Sequence, residues 1–367
     1  MRDLGIDASR LGLLTGAYFL AFALCQLPLG VLLDRFGPRR VDAALLAVAA
    51  SGAALFSRGE SLAALVAGRA LIGVGVSGCL MSGIKAFTLW FPLARLATLN
   101  GWLMASGGLG AIASSLPLEA LLHVTDWRGV FAGLAGLTLA IAALIWLAVP
   151  ERDEPRSSEG LRELARAFGR IYADPGFWRI ACISMTVPAS SLAVQGLWVA
   201  PWLRDVAGLS RGAVAGTLFA MAICTMTGFA TQGSVADWLS RRGIGPIGLL
   251  RWGSLASALL LAAFACGITR GAPVAWCLFA LLAPSASLAY AILTRRYDAA
   301  LAGRVNTAVN LLVFLGAFTA QWGVGVVVDQ WPSDAGRHPA AAYGAGFGAL
   351  VLAEGVALGV LFRTKPR

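Results

Sequence analysis

Eleven apolar stretches, separated by short clusters of charged and turn-forming residues, make up most of the chain. They run at about 11–33, 43–57, 62–84, 99–122, 129–149, 180–203, 213–236, 247–268, 272–293, 305–328 and 340–362. A helix needs about 20 apolar residues to cross the hydrocarbon core of a bilayer, and only helices or closed barrels satisfy their own backbone there. Runs of this length and number therefore predict an all-α integral membrane protein with eleven spans. The second run is short and is expected to recruit flanking residues or to sit where the bilayer thins. With 58% hydrophobic and 13% charged residues, against about 25% charged in a soluble domain, the chain is no soluble enzyme or binding module. Its 367 residues leave no room for a large soluble domain beside the spans.

The net charge of +10 reads as topology, not as nucleic-acid binding. Only the Lys and Arg bias between alternate loops sets orientation. Twenty of the 29 bases fall on one side, including Arg35, Arg39, Arg40, Lys85, Arg241, Arg242, Lys365 and Arg367. That side is expected to be cytoplasmic, with the C-terminus inside. The first ten residues mix acids and bases and show no small-residue cleavage pattern, which argues against a cleaved signal peptide. The six cysteines are scattered singly through apolar runs, so neither a disulfide framework nor a metal site is expected.

The longest connection lies between five spans and six. It predicts an N-terminal half over 1–149, a linker over 150–179 and a C-terminal half over 180–367. Within the linker, Leu161, Leu164, Phe168 and Ile171 recur at helical spacing against Arg162, Glu163, Arg166 and Arg170. That pattern fits a short helix on the cytoplasmic membrane surface or an ordinary solvated linker. Transporters commonly carry internal repeats, and one is visible here. Gly30, Asp34 and the bases after it close the first run, while Gly233, Asp237, Arg241 and Arg242 close the seventh, at an offset of 203; the same offset carries Gly5 onto Gly208. The sixth run then lacks a counterpart at the start of the chain, so the pattern is six plus six spans without the first. A truncation or a start codon placed too late would produce it.

Gly30, Leu33, Asp34, Arg35, Gly37, Arg39 and Arg40 resemble the signature loop between the second and third helices of the major facilitator superfamily. Gly68, Arg69, Gly73 and Gly75 are similar to that family's fourth-helix motif, and Gly107, Gly108, Gly110 and Pro117 to its Gly-rich fifth helix. The resemblance implies two pseudo-symmetric six-helix halves, the first helix of twelve being absent here. It also implies that the Asp34 loop latches helices together, stabilises the outward-facing state and breaks on inward rocking. The second copy, Gly233, Asp237 and Arg242, has Trp238 where a base is usual and Ser240 where a glycine is usual, and is expected to be the weaker latch. Gly73, Gly75, Gly107, Gly108 and Gly110 suit close helix packing; by resemblance the fifth-helix run also acts in gating. Asp126 is placed to cap the helix that follows it.

Arg69 is the one base well inside a span, where a charge normally faces a cavity or a partner. Snorkelling to the outer interface is the alternative. By resemblance, Arg69, Ser77, Gln195, Trp198, Ser287 and Tyr290 are on spans around a central cavity, with Arg69, Gln195 and Tyr290 facing each other near the midplane. Gln26, Asn306, Asn310 and Gln321 are weaker candidates on flanking helices. A polar residue in such a span is more often a plain helix-to-helix hydrogen bond than a ligand contact. Lys85 reads as a loop anchor or the floor of a cavity. A fixed cationic group favours an anionic or carboxylate-bearing solute, with a proton as a candidate coupling ion. Glu119 and Glu354 are the in-span carboxylates considered for it. No phosphate-binding loop, catalytic carboxylate pair, nucleophile elbow or metal cluster occurs, and no cofactor is expected. The resulting expectation is a monomeric secondary transporter of a small organic solute in the bacterial plasma membrane, working by alternating access. The alternatives are a solute sensor of the same fold that binds without turnover, and a truncated, inactive carrier.

Overall fold

The computed structural model describes residues 7–150, 161–267, 273–334 and 337–363. Gly5, residues 151–160 of the linker, and Lys365 and Arg367 of the C-terminal basic cluster lie outside the described residues. Among those described there are helices and no strand. The helices are α1 (Ala8–Arg58), α2 (Leu62–Val76), α3 (Cys79–Trp90), α4 (Leu93–Ala113), α5 (Leu116–Leu121), α6 (Trp127–Ala148), α7 (Leu161–Ala173), α8 (Pro175–Ala193), α9 (Val199–Asp205), α10 (Arg211–Ser240), α11 (Pro246–Ala265), α12 (Pro273–Leu282), α13 (Leu288–Thr294), α14 (Ala299–Val328) and α15 (Ala340–Phe362). Nine helical stretches among the described residues are long and apolar enough to cross a membrane, α1 counting as one and α2 with α3 as another.

α1 is two helices meeting at Gly37, whose φ of 77° a side chain would resist. The helix after this bend covers 38–58, so the second apolar run is longer than its hydrophobic residues suggest. Arg39, Arg40 and Asp42 are helical and extend it at its start. Helix starts follow local capping: Ser61, Asp126, Asp174 and Ser210 each accept a backbone N–H two or three residues on, which satisfies otherwise orphaned donors.

The chain divides into two compact units, an N-terminal unit of Ala17–Arg166 and a C-terminal unit of Met1–Gly16 with Ala167–Arg367. Lipid tails are as apolar as leucine, so close packing, more than exclusion of water, holds such helices together. In the N-terminal unit small residues make that packing possible. A Cβ on Gly68 would lie 2.9 Å from the Gly52 carbonyl oxygen, and one on Gly73 or Gly75 would collide with the Tyr18 carbonyl or the Ala49 nitrogen. Gly101, Gly107 and Gly110 of α4 have no such neighbour within their own unit. The C-terminal unit packs around aromatic residues instead: Phe264 stacks on Trp276 at 3.5 Å between centroids, and Trp202 meets Trp276 edge-on at 5.2 Å.

α7 occupies the stretch where helical spacing was read in the linker, but its apolar face is not left for lipid. Ala167, Phe168 and Ile171 are buried, and the Tyr172 hydroxyl donates to the Ala308 carbonyl at 3.1 Å. The face covers one end of the C-terminal unit, where the Trp178 indole N–H also donates to the Tyr172 carbonyl. Next to it Asp174 accepts from the Tyr297 hydroxyl at 2.6 Å and from Arg296 Nε at 3.4 Å. The Tyr297 hydrogen bond, with the Gly176 N–H and Arg296, holds the Asp174 carboxyl below its ordinary range. Burial and Asp174 push the Tyr297 phenol up to about 12, so it stays a donor.

Candidate functional site

The signature loop is built in the N-terminal unit from three helix ends. Asp34, just before the Gly37 bend, accepts from Lys85 Nζ of α3 at 2.7 Å. Just after the bend, Arg39 donates from Nε to the Trp146 carbonyl of α6 at 3.0 Å and lays its guanidinium over the Trp146 ring at 5.3 Å. The left-handed turn at Gly37 separates these two charges so that each reaches a different neighbour. Arg35 lies over Phe36 at 5.4 Å. Gly30 is exposed, with room on all sides. Lys85 and Trp146 are partners of this loop that the linear motif does not contain. The signal for Lys85 was its rarity: it is one of only two lysines in the chain.

The second copy, in the C-terminal unit, is organised differently. Asp237 is exposed and makes no ion pair among the described residues. Arg242 stacks on its neighbour Trp238 at 3.8 Å. The positive φ arrives later, at Gly243 (84°), where the Ile244 N–H closes the turn on the Leu239 carbonyl at 3.0 Å, a glycine-terminated helix end. Gly233 has open space around it.

Arg69 lies in the second turn of α2. Its guanidinium is 5.8 Å from the Tyr18 ring centroid and 5.9 Å from that of Phe56, and its Nε is buried with no hydrogen-bond partner among the described residues. Aromatic faces stabilise a desolvated cation but do not satisfy its directional donors. About two turns further on, the Ser77 hydroxyl donates to the Val74 carbonyl of its own helix, and the Ser77 carbonyl accepts from buried Gln26 at 3.0 Å. Ser77 thus joins α1 to α2. Asp42 is an in-span acid that the sequence reading passed over; its Oδ1 is buried without a hydrogen-bond partner.

In the C-terminal unit the candidates lie at breaks in helices. Gln195 is in a π segment, Val194–Trp198, between α8 and α9, and Ser287 ends a 3₁₀ segment, Ala283–Ser287, between α12 and α13. Such irregularities re-aim side chains and are frequent at functional positions. Thr225 donates to Gln195 Oε1 at 3.1 Å. Gln232 and Ser287 bond through their side chains at 3.0 Å. Tyr290 donates to Asn310 at 3.1 Å, and Thr294, one turn on, donates to Asn306 at 2.8 Å. Thr225 and Gln232 are partners the sequence reading did not single out. Trp198 is 1% exposed, packed in the aromatic core, and donates from Nε1 to the Gln321 carbonyl at 3.0 Å. Pro117 occupies the first turn of α5, where its missing N–H costs nothing.

The family model described as Major Facilitator Superfamily matches residues 1–321. The chain belongs to the major facilitator superfamily. It is 26% identical over 264 residues to the "Probable L-galactonate transporter" of Escherichia coli, covering 67% of this chain and 57% of that protein. It is 26% identical over 278 residues to the "Probable galactarate/D-glucarate transporter GudP" of Bacillus subtilis, covering 73% and 57%. The chain therefore spans somewhat more than half the length of these relatives. Its fold is similar to that of the nucleoside transporter NupG, with a TM-score of 0.77 at 16% identity over 99% of this chain and 92% of that one. It is also similar to a bacterial homologue of the human lysosomal transporter Spinster, with a TM-score of 0.76 at 18% identity over 98% and 90%. With its apolar helices, this membership makes the protein an integral membrane protein.

Proposed function

We propose that the protein is a secondary active transporter, not an enzyme, and that it moves a small organic anion across the membrane by alternating access. In this reading it has eleven spans in two pseudo-symmetric halves, 1–149 and 180–367, joined by 150–179. The two arms of α1 count separately, and α4 with α5 forms one span. It works as a monomer in the bacterial plasma membrane with its C-terminus in the cytoplasm. The names of its relatives favour a hydroxylated carboxylate such as a sugar acid.

The observation that carries the anionic preference is Arg69. A half-buried guanidinium whose Nε is sealed from solvent without a partner is costly in a membrane, and a solute carboxylate would supply the missing charge and accept from Nε. Gln195, Ser287 and Tyr290 are polar enough to bind hydroxyl groups once their present partners release them. Trp198 and Ser77 support the helices behind the site. The Asp34 latch biases the outward-facing state, and the glycines of α2 and α4 allow helices to slide.

A thermal-shift screen of the full chain in detergent tests this reading. Sugar acids such as L-galactonate should raise the melting temperature of the wild type and leave Arg69→Ala unmoved. A neutral sugar stabilising both proteins equally would overturn the anionic assignment.

A further inference from the structure

The C-terminal unit buries a carboxylate for which substrate binding has no use. Glu354, in the middle of α15, is 1% exposed, and neither of its carboxyl oxygens has a hydrogen-bond partner among the described residues. Ser190 of α8 faces it. The antiparallel register of α11 on α15 is fixed at two levels. Arg251 Nη2 donates to the Leu361 carbonyl at 3.0 Å, and a Cβ on Gly344 would lie 2.7 Å from the Ala265 carbonyl oxygen. Counting inward from both levels puts Ser257 of α11 at the level of Glu354. Ser257, Ser254 and Ser191 are buried, and their hydroxyls have no hydrogen-bond partner either.

No charged side chain from the packed helices comes level with this cluster. On α11 the one charge is Arg251, seven residues of α15 away at Leu361. On α8 it is Arg179, eleven residues before Ser190. α14 carries no charge between Arg304 and its end, and Arg204 and Asp205 of α9 sit at the level of Tyr343, eleven residues from Glu354. An ionised carboxylate so placed would be buried and unpaired, which is prohibitively costly. A proton removes the charge and supplies a donor. Serine hydroxyls both donate and accept, so they can serve the carboxyl in either form. A hard metal cation would demand several oxygens converging at once, whereas no second carboxylate of the packed helices comes level with Glu354 to complete such a shell.

We infer that Glu354 is an exchangeable proton site: one carboxylate oxygen takes H⁺ from water and returns it, and this proton drives the transport step. The second half of the inference rests on the transporter reading; the first half does not.

The experiment uses the full chain in lipid nanodiscs and infrared difference spectra of wild type against Glu354→Gln. A protonated carboxyl band should be present at neutral pH, be lost in Glu354→Gln, bleach reversibly at alkaline pH, and shift in Ser257→Ala, which leaves the carboxyl in place should Glu354→Gln fold poorly. No such band, or one that never titrates, overturns the proton site. A band abolished by sodium chloride at constant pH also overturns it, in favour of an alkali cation. In proteoliposomes, Glu354→Gln should lose accumulation of L-galactonate driven by a pH gradient while downhill exchange continues. Accumulation equal to wild type overturns the coupling. If the wild type itself moves no L-galactonate under any gradient, the transporter reading and the coupling fail together, and the titrating band still establishes the site.

Discussion

The two copies of the signature loop share their charges and differ in what those charges hold. Around Gly37, Asp34 reaches Lys85 of α3 and Arg39 reaches Trp146 of α6, so one loop braces three helix ends. Around Gly243, Asp237 faces solvent and Arg242 turns back onto Trp238 of its own helix. The decisive difference is the position of the glycine. At Gly37 the left-handed residue falls between the acid and the distal base and separates them in space. In the second copy Ser240, the last residue of α10, stands where that glycine is usual, and the left-handed residue comes only at Gly243, after both Asp237 and Arg242.

The largest effect in this comparison should come from Arg39→Ala. It removes a charge-assisted hydrogen bond and a stacked ring, roughly 2 kcal/mol, which for a chain of 367 residues corresponds to a melting temperature about 3 °C lower. Arg242→Ala, measured in parallel, should stay within about 0.5 kcal/mol of wild type. Asp34→Asn comes next. The pair with Lys85 is partly exposed and is worth at most about 1 kcal/mol, or about fivefold in the ratio of two conformations. Uptake into proteoliposomes should fall by that order with membrane insertion intact, and the exchange Asp34→Lys with Lys85→Asp should restore part of it. Unchanged uptake would remove the latch from the account. Asp237→Asn should change uptake by less than twofold.

The smallest effect concerns Asp174, whose carboxyl is held below its ordinary range chiefly by Tyr297. A depressed carboxyl contributes stability above its unfolded value and loses it as pH falls through the folded one. Wild type should therefore lose thermal stability on acidification below about pH 4, and Asp174→Asn should lose less over the same interval.

Much of the fold could be read from the chain because hydrocarbon leaves few options: apolar runs of spanning length become helices, and Asp126 caps α6 as its position suggests. The partner of Asp34 could not be read, because Lys85 lies 51 residues away and only the register of packed helices brings them together. An amphipathic pattern at α7 says that one face is apolar without saying whether lipid or protein covers it. The π and 3₁₀ breaks beside Gln195 and Ser287 shift the backbone by too little to disturb a 3.6-residue periodicity. Side-chain pairing in the C-terminal unit was equally hidden, since Thr225 and Gln232 look like ordinary residues of an apolar helix.

The central claim is that Arg69 recognises a solute anion that the protein carries. Counterflow of radiolabelled L-galactonate into proteoliposomes preloaded with the unlabelled acid tests it most directly. Wild type should show saturable counterflow and Arg69→Ala a loss of at least 30-fold, as expected of a desolvated charge pair worth about 2 kcal/mol or more. Equal counterflow by both proteins, or binding by the wild type with no counterflow at all, would contradict it.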